Sequence, residues 1–332
     1  MRRFLTALLA LMLLPAASAT AAAPWTQTKE SIGCADTMGS SPFYTGPSAS
    51  TVYDSTFVLG HDLPGPFLDS FVPQGIGTWP NWGGAGSDLL IQAGYSSNRS
   101  AIIGLVPGGG STPIVLLKRP NGALLDAHVG GVAVVAKWLF VTGGAADGLP
   151  TVLRFPLDEV RAALASGNPL QARAEMKLRV GTKGFAASFM ADEGRSLWIG
   201  TFDSEHRNRM YRFSVGPRGQ LARIGGAGNW RQVPLKTQGL TVTKTHFIFS
   251  TSYTREARSN VYVVRRGYKF LDNAYPQDLT CFAAPSMTEG ITRSNGQAYL
   301  SFESGSYEYR SGARNAVTHL HRASVDALTG MT

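Results

Sequence analysis

One pattern recurs five times along the chain, and its period leaves few folds open. Each copy carries a short stretch of small and polar residues closed by an apolar marker, then a turn, then a second apolar run. The first members are Pro73-Gln-Gly-Ile76, Val129-Gly-Gly-Val132, Ala186-Ala-Ser-Phe189, Thr237-Gln-Gly-Leu240 and Thr288-Glu-Gly-Ile291. Their partners are residues 89–94, 138–143, 196–201, 246–251 and 298–303. The markers Ile76, Val132, Phe189, Leu240 and Ile291 are spaced by 56, 57, 51 and 51 residues. This spacing suits propeller blades and is too long for leucine-rich or ankyrin repeats.

Each copy adds further runs rich in β-branched and aromatic residues, punctuated by Gly, Asn, Asp and Pro, as strands and turns require. Four strands per copy make a propeller blade. The last copy supplies only three, whereas an orphan strand at residues 55–60 precedes the first copy. Placed as the outer strand of the last blade, it closes the ring and removes two exposed edges. The expectation is an all-β fold, a five-bladed β-propeller of four-stranded blades closed by an N-terminal strand. Only residues 157–166 have helical periodicity, which makes them one short helical insertion. Gly and Pro number 38 and 18, which argues against long helical bundles.

The first residues read as a secretory signal peptide: Arg2-Arg3, an apolar run over 4–14, then small residues from Pro15 to Ala23. The run is too short to span a bilayer, which needs about 20 residues. The division is therefore a signal peptide at 1–21, an N-terminal arm at 22–50 and a single propeller domain at 51–332, in a secreted, extracellular monomer without a transmembrane segment. The chain holds two cysteines, Cys34 and Cys281, and in an oxidising compartment they should pair. Cys281 falls on the outer strand of blade four and Cys34 just upstream of the closing strand. The bond would tie the arm to that blade.

Net charge is +9, and loss of Arg2 and Arg3 lowers it to +7. A basic exported protein can meet an extracellular glycan, an anionic wall polymer, a protein or a small molecule. No run of five Lys or Arg and no metal-finger spacing occurs, so nucleic acid is not an expected partner. The chain also lacks the nucleophile elbow, the zinc-peptidase helix motif, the P-loop, the dinucleotide glycine fingerprint and the EF-hand loop.

Candidate site residues follow from blade geometry, because the inner strands line the channel. Their lining positions are Gln74, Gly130, Ala187, Gln238 and Glu289, with His128 and Ser188 beside them. Glu289, Gln74 and Gln238 form the candidate metal set, with Ca²⁺ as the candidate cofactor, since it favours six to eight oxygen ligands. The second strands align Gly94, Gly143, Thr201, Thr251 and Glu303, so Glu303 can pair with Glu289 as a candidate catalytic couple. Loops beyond these strands should emerge on one face. There Tyr95, Arg209, Tyr253, Arg255 and Tyr307, with Gln74, His128 and Gln238, are the candidate ligand-binding residues, because aromatic faces and guanidinium forks orient a ligand at little entropic cost.

The stretches Val72-Pro-Gln-Gly-Ile76, His128-Val-Gly-Gly-Val132, Phe249-Ser-Thr-Ser-Tyr-Thr-Arg255, Ala284-Pro-Ser-Met-Thr-Glu-Gly290 and Ser301-Phe-Glu-Ser-Gly305 resemble those of a set of secreted actinobacterial β-propeller proteins. That resemblance covers nearly all the mature chain and implies architecture and export. More distantly, the ring is similar to five-bladed calcium-activated nucleotidases and calcium-dependent lactonases. They hold a central metal with inner-strand carboxylates, whereas Gly130 and Ala187 occupy two of the ring positions here. Two functions follow: a binding module whose polar loop face takes a carbohydrate, wall polymer or protein, or a calcium-assisted hydrolase of a lactone, ester or phosphoanhydride working at the channel.

Overall fold

A computed structural model describes residues 28–180, 185–226 and 228–332. The expected signal peptide and the start of the arm lie outside the described residues. Each repeat forms one mainly antiparallel sheet, and five sheets surround a central channel. Blade one runs from the channel outward through Val72–Trp79, Leu89–Tyr95, Ser100–Leu105 and Val115–Lys118. Blade two uses Val132–Val135, Trp138–Ala146, Leu149–Pro156 and Ala174–Lys177. Blade four uses Thr237–Val242, His246–Thr251, Ser259–Arg265 and Leu279–Ala284.

Blade three departs from the four-strand pattern. After Phe189–Glu193, Ser196–Gly200 and Asn208–Val215, its outer edge is divided between Leu221–Arg223 and Trp230–Val233, both antiparallel to Asn208–Val215. Blade five is the closing blade: Thr288–Ser294, Gln297–Phe302 and His319–Ser324 are completed by Val58–Asp62 from the N-terminal side. The closing strand thus exists, although it begins later than expected. Residues Thr51–Thr56 are instead a helix, capped by the Ser50 hydroxyl, which accepts from the Tyr53 amide at 3.1 Å. Tertiary packing decides this, because Tyr53 and Phe57 stack at 4.4 Å and are fully buried between blades four and five.

The expected helix at Leu157–Ser166 is present, ended by Gly167 in the left-handed conformation. The following Leu170–Gln171 pairs in parallel with the outer strand of blade one, so the insertion clasps two blades together. Two further short helices, Gly65–Leu68 and Val325–Thr329, are too brief to show a period. Apolar side chains collect in five layers, one in each interface between neighbouring blades. Burial therefore holds blade to blade rather than filling one central core. No helix among the described residues is long and apolar enough to cross a membrane.

Near the axis the inner strands approach at backbone contact. A Cβ on Gly75 would lie 2.6 Å from the Gly130 carbonyl oxygen, and one on Gly290 would lie 2.6 Å from the Ile76 amide nitrogen. Only glycine permits such an approach.

The arm is fastened in two places. Cys34 and Cys281 form a disulfide with a Cα separation of 4.5 Å, and Ala35 extends blade four by bonding to Cys281 and Ala283 at 2.8 Å each. Nearby, the fully buried Arg207 binds Glu30 at 2.6 Å, Asp272 at 2.7 Å and the Ser31 hydroxyl at 2.9 Å. Burial pushes the Glu30 carboxyl up, but hydrogen bonds from Arg207 and from the Ile32 and Leu235 amides outweigh it and hold it below the ordinary value.

Arg207→Ala leaves Glu30 half-buried without its partner and should cost about 3–5 kcal/mol in denaturant unfolding. Replacing both cysteines by alanine should cost about 2–5 kcal/mol, with the arm becoming the first site cut in limited proteolysis. Because the Glu30 carboxyl is depressed, its contribution is present above the ordinary carboxylate pKa and is lost as pH falls through the lower folded value. Acid should therefore narrow the stability gap between wild type and Arg207→Ala.

Candidate functional site

A β-bulge directs the ring residues inward. In blade one the register passes from Pro73 opposite Gly94 to Ile76 opposite Gln92, so Gln74 and Gly75 together face Ala93. Blade five repeats this with Glu289 and Gly290 against Ser301, and blade four shifts register across Gln238. A bulge of this kind bends the strand and re-aims a side chain. Buried side chains capture carbonyls along the bulges. Gln92 Nε2 donates to Gln74 and Gly75 at 3.2 Å, Ser301 Oγ to Gln74 at 3.0 Å and Gly290 at 3.2 Å, and Ser250 Oγ to Glu289.

Above the bulges lies a cavity of about 560 Å³ at the channel mouth, within the range that holds a small ligand. Its floor carries Gln74, Gln238 and Glu303; its walls carry Tyr95, Tyr253, Tyr309, Phe185 and Phe202, with His128 at one side. Small residues, Gly130, Gly144 and Ala187 among them, complete the lining and leave it room. The tyrosines are held in place: Tyr95 and Tyr309 share a hydroxyl–hydroxyl bond of 3.1 Å, and His128 lies 4.3 Å from the Tyr95 ring. Val129, another lining residue, is left-handed at φ 46°. That conformation is costly for a β-branched side chain, and the Val129 carbonyl accepts from the Gly75 amide at 3.3 Å.

The electrostatics are one-sided. Glu289 is 1% exposed and its Oε1 has no hydrogen-bond partner. Glu303 accepts from the Gln74 amide nitrogen. Burial pushes both carboxyls up, Glu303 to about 7, and the neighbouring Glu303 charge adds to the rise at Glu289. Two carboxylates sharing a site cannot readily both ionise. Among the described residues no Lys or Arg lines the cavity. Lys236 and Arg255 instead lie over the rings of Tyr253 and Tyr309, at 5.1 and 4.8 Å.

Of the expected site residues, Gln74, Tyr95, His128, Gln238 and Tyr253 line the cavity together with Glu303, and Glu289 is buried close enough for its charge to raise the Tyr95 proton affinity and for the Glu303 charge to raise its own. Three residues depart from the expectation. Arg209 belongs to the strand Asn208–Val215, is 2% exposed and sits beside Tyr211, away from the cavity. The polar loop expected over residues 203–209 ends two residues earlier, because Asn208 already pairs with Val233. Tyr307 points away from the lining and is 42% exposed, with its amide bound to Leu68. Arg255 contributes through Tyr309 and not by lining the cavity. Tyr309, two residues from Tyr307 in the same polar loop, takes the wall position. Phe185 and Phe202 also escaped prediction, since isolated aromatics beside strand ends carry no periodic signal.

The expected calcium ligands fit that ion poorly. Gln74 turns its amide nitrogen toward Glu303, and the described residues contain no group of three or more His, Cys, Asp or Glu able to hold a metal. No protein-family model matches the chain, and no curated protein does. Several solved structures are similar in fold. A subtype N10 neuraminidase-like protein of A/little yellow-shouldered bat/Guatemala/060/2010 has a TM-score of 0.35 at 8% identity over 70% of this chain and 64% of that one. The Dos1 propeller has a TM-score of 0.30 at 13% identity over 71% and 55%. TolB from Acinetobacter baumannii has a TM-score of 0.30 at 11% identity over 76% and 54%. The chain thus spans less than two thirds of the length of each.

Raised carboxyl affinities mean that the folded chain binds more protons than the unfolded one between the ordinary value of 4.5 and about 7. That contribution to stability is present at low pH and declines as pH rises through the window. Buried histidines such as His321, held low by desolvation, act with the opposite sign. The informative quantity is therefore a difference: Glu303→Gln should gain stability relative to wild type as pH rises from about 4.5 to about 7 in paired thermal melts.

Proposed function

We propose that the protein is an exported binding module that holds a carbohydrate, as one or a few sugar units, in the cavity at the channel mouth. The observation that carries this reading is the combination of tyrosine walls with a floor of amides and carboxyls, all mounted on strand ends or adjoining loops. Sugar rings present apolar faces to aromatic rings and hydroxyls to amide and carboxyl groups, and a preorganised site loses little entropy on binding. The Tyr95–Tyr309 bond and the bulge clamps supply that preorganisation. The disulfide supports an extracellular setting, since such bonds persist in oxidising compartments.

A second reading rests on the Glu289–Glu303 pair. Two buried carboxyls with split proton affinities can serve as acid and base, which would suit hydrolysis of a lactone or ester at the same floor. Calcium chemistry, implied by the distant resemblance, is not needed for that role, and the donor set does not favour it.

Saccharide titration by calorimetry tests the first reading. Tyr253→Ala and Tyr309→Ala should each weaken binding by about tenfold or more, as truncation of a buried aromatic anchor does, with the melting temperature little changed for the half-exposed Tyr253. Binding without product formation supports the module. Turnover abolished by both Glu289→Gln and Glu303→Gln would establish the hydrolase instead. A calcium-dependent rise in melting temperature lost in Glu289→Gln would restore the metal.

A further inference from the structure

The charge at the cavity floor narrows the ligand beyond a sugar in general. Glu303 opens onto the cavity, and Glu289 lies beneath it with one carboxyl oxygen unpartnered and almost no solvent contact. Buried carboxyls are normally matched by a guanidinium or ammonium group, and this chain applies that rule elsewhere, at Arg207 with Glu30 and at Arg119 with Glu175. Among the described residues, neither Glu289 nor Glu303 forms a hydrogen bond or ion pair with Lys or Arg. Two cations beside the wall tyrosines belong to other partners: Lys236 lies over Tyr253, and Arg255, 40% exposed, rests on Tyr309 and faces Glu308 at 3.9 Å.

Resting on the carbohydrate reading above, we propose that the ligand carries its own ammonium group, as an amino sugar does, which pairs with Glu303 at the floor while its ring lies against the tyrosine walls. A cation desolvated there meets aromatic rings and a carboxyl whose ionised form its own charge favours, and both attract it. The same features disfavour an anionic sugar, whose carboxylate would face the floor carboxyls with no lining Lys or Arg among the described residues to receive it. A bare metal ion is the weaker candidate, because the cavity is far larger than an ion, its walls are aromatic and its carboxyl donors number two, where a hard cation takes six to eight oxygens.

The test uses the disulfide-bonded mature protein and three short oligomers of equal length: β-1,4-linked glucosamine, its N-acetylated counterpart and β-1,4-linked glucose. Isothermal titration near neutral pH should show the amine-bearing oligomer binding at least about tenfold more tightly than the other two, a difference in the range expected for one desolvated charge pair. Glu303→Gln should bring the three affinities together, with the largest loss falling on the amine-bearing oligomer. If that variant fails to fold, Glu289→Gln, which lowers the floor charge from below, should reduce the same ratio. Equal affinity for all three oligomers, or preference for an uncharged one, would overturn the ammonium assignment and leave the carbohydrate reading intact. Absence of binding by all three would overturn both. Saturation by calcium alone, with displacement of the glucosamine oligomer, would assign the floor to a metal.

Discussion

The structure depends on the approach of the inner strands to backbone contact around the channel. Gly75 against Gly130 and Gly290 against Ile76 allow neighbouring blades to touch without side chains between them, and the five apolar layers can then close further out. A methyl group at either position would wedge the blades apart exactly where the ring has least room to yield. The bulges arise at the same place. They add one residue to the inner strand, and the carbonyls along them are captured by Gln92, Ser250 and Ser301.

The site is a by-product of that packing. Because each bulge pairs a glycine facing the neighbouring blade with a longer residue before it, Gln74, Gln238 and Glu289 gather around the axis. Burial then does the electrostatic work. Two carboxyls brought together, with no Lys or Arg bonded to them among the described residues, are pushed toward the protonated form, while the equally buried Arg207 is satisfied by carboxylates and ties the arm to the ring. One chain therefore contains a closed ion-pair network that serves stability and an open, unbalanced pair at a cavity floor. The imbalance is what gives the cavity its chemical character.

Ring closure and the arm are coupled in the same way. Val58–Asp62 completes blade five, and the residues before it return across blade four to the disulfide. Tyr53 and Phe57 fill the seam between those blades. The Tyr53 hydroxyl also meets the buried His321 ring at 2.6 Å, so the arm contributes to the interior of the closing blade as well as to its edge.

What the sequence determined by itself was whatever repeats or pairs. The period of the markers established five blades, the three-strand last repeat required an N-terminal closing strand, and two cysteines in an export context implied their bond. The ring column identified Gln74, Gln238 and Glu289 because an internal repeat aligns them with one another. Tertiary structure alone decided the rest. Residues 55 and 56, expected to open the closing strand, instead end the helix Thr51–Thr56, whose residue Tyr53 is buried with Phe57 between blades four and five. Arg209 went inward because Asn208 already pairs in the ladder, and Tyr309 rather than Tyr307 reached the cavity because the loop between them is fixed by contacts from other blades. That the two floor carboxyls have no Lys or Arg bonded to them among the described residues belongs to this second kind. Whether a charge has a partner depends on which distant residues meet it, and no local pattern in the chain records that.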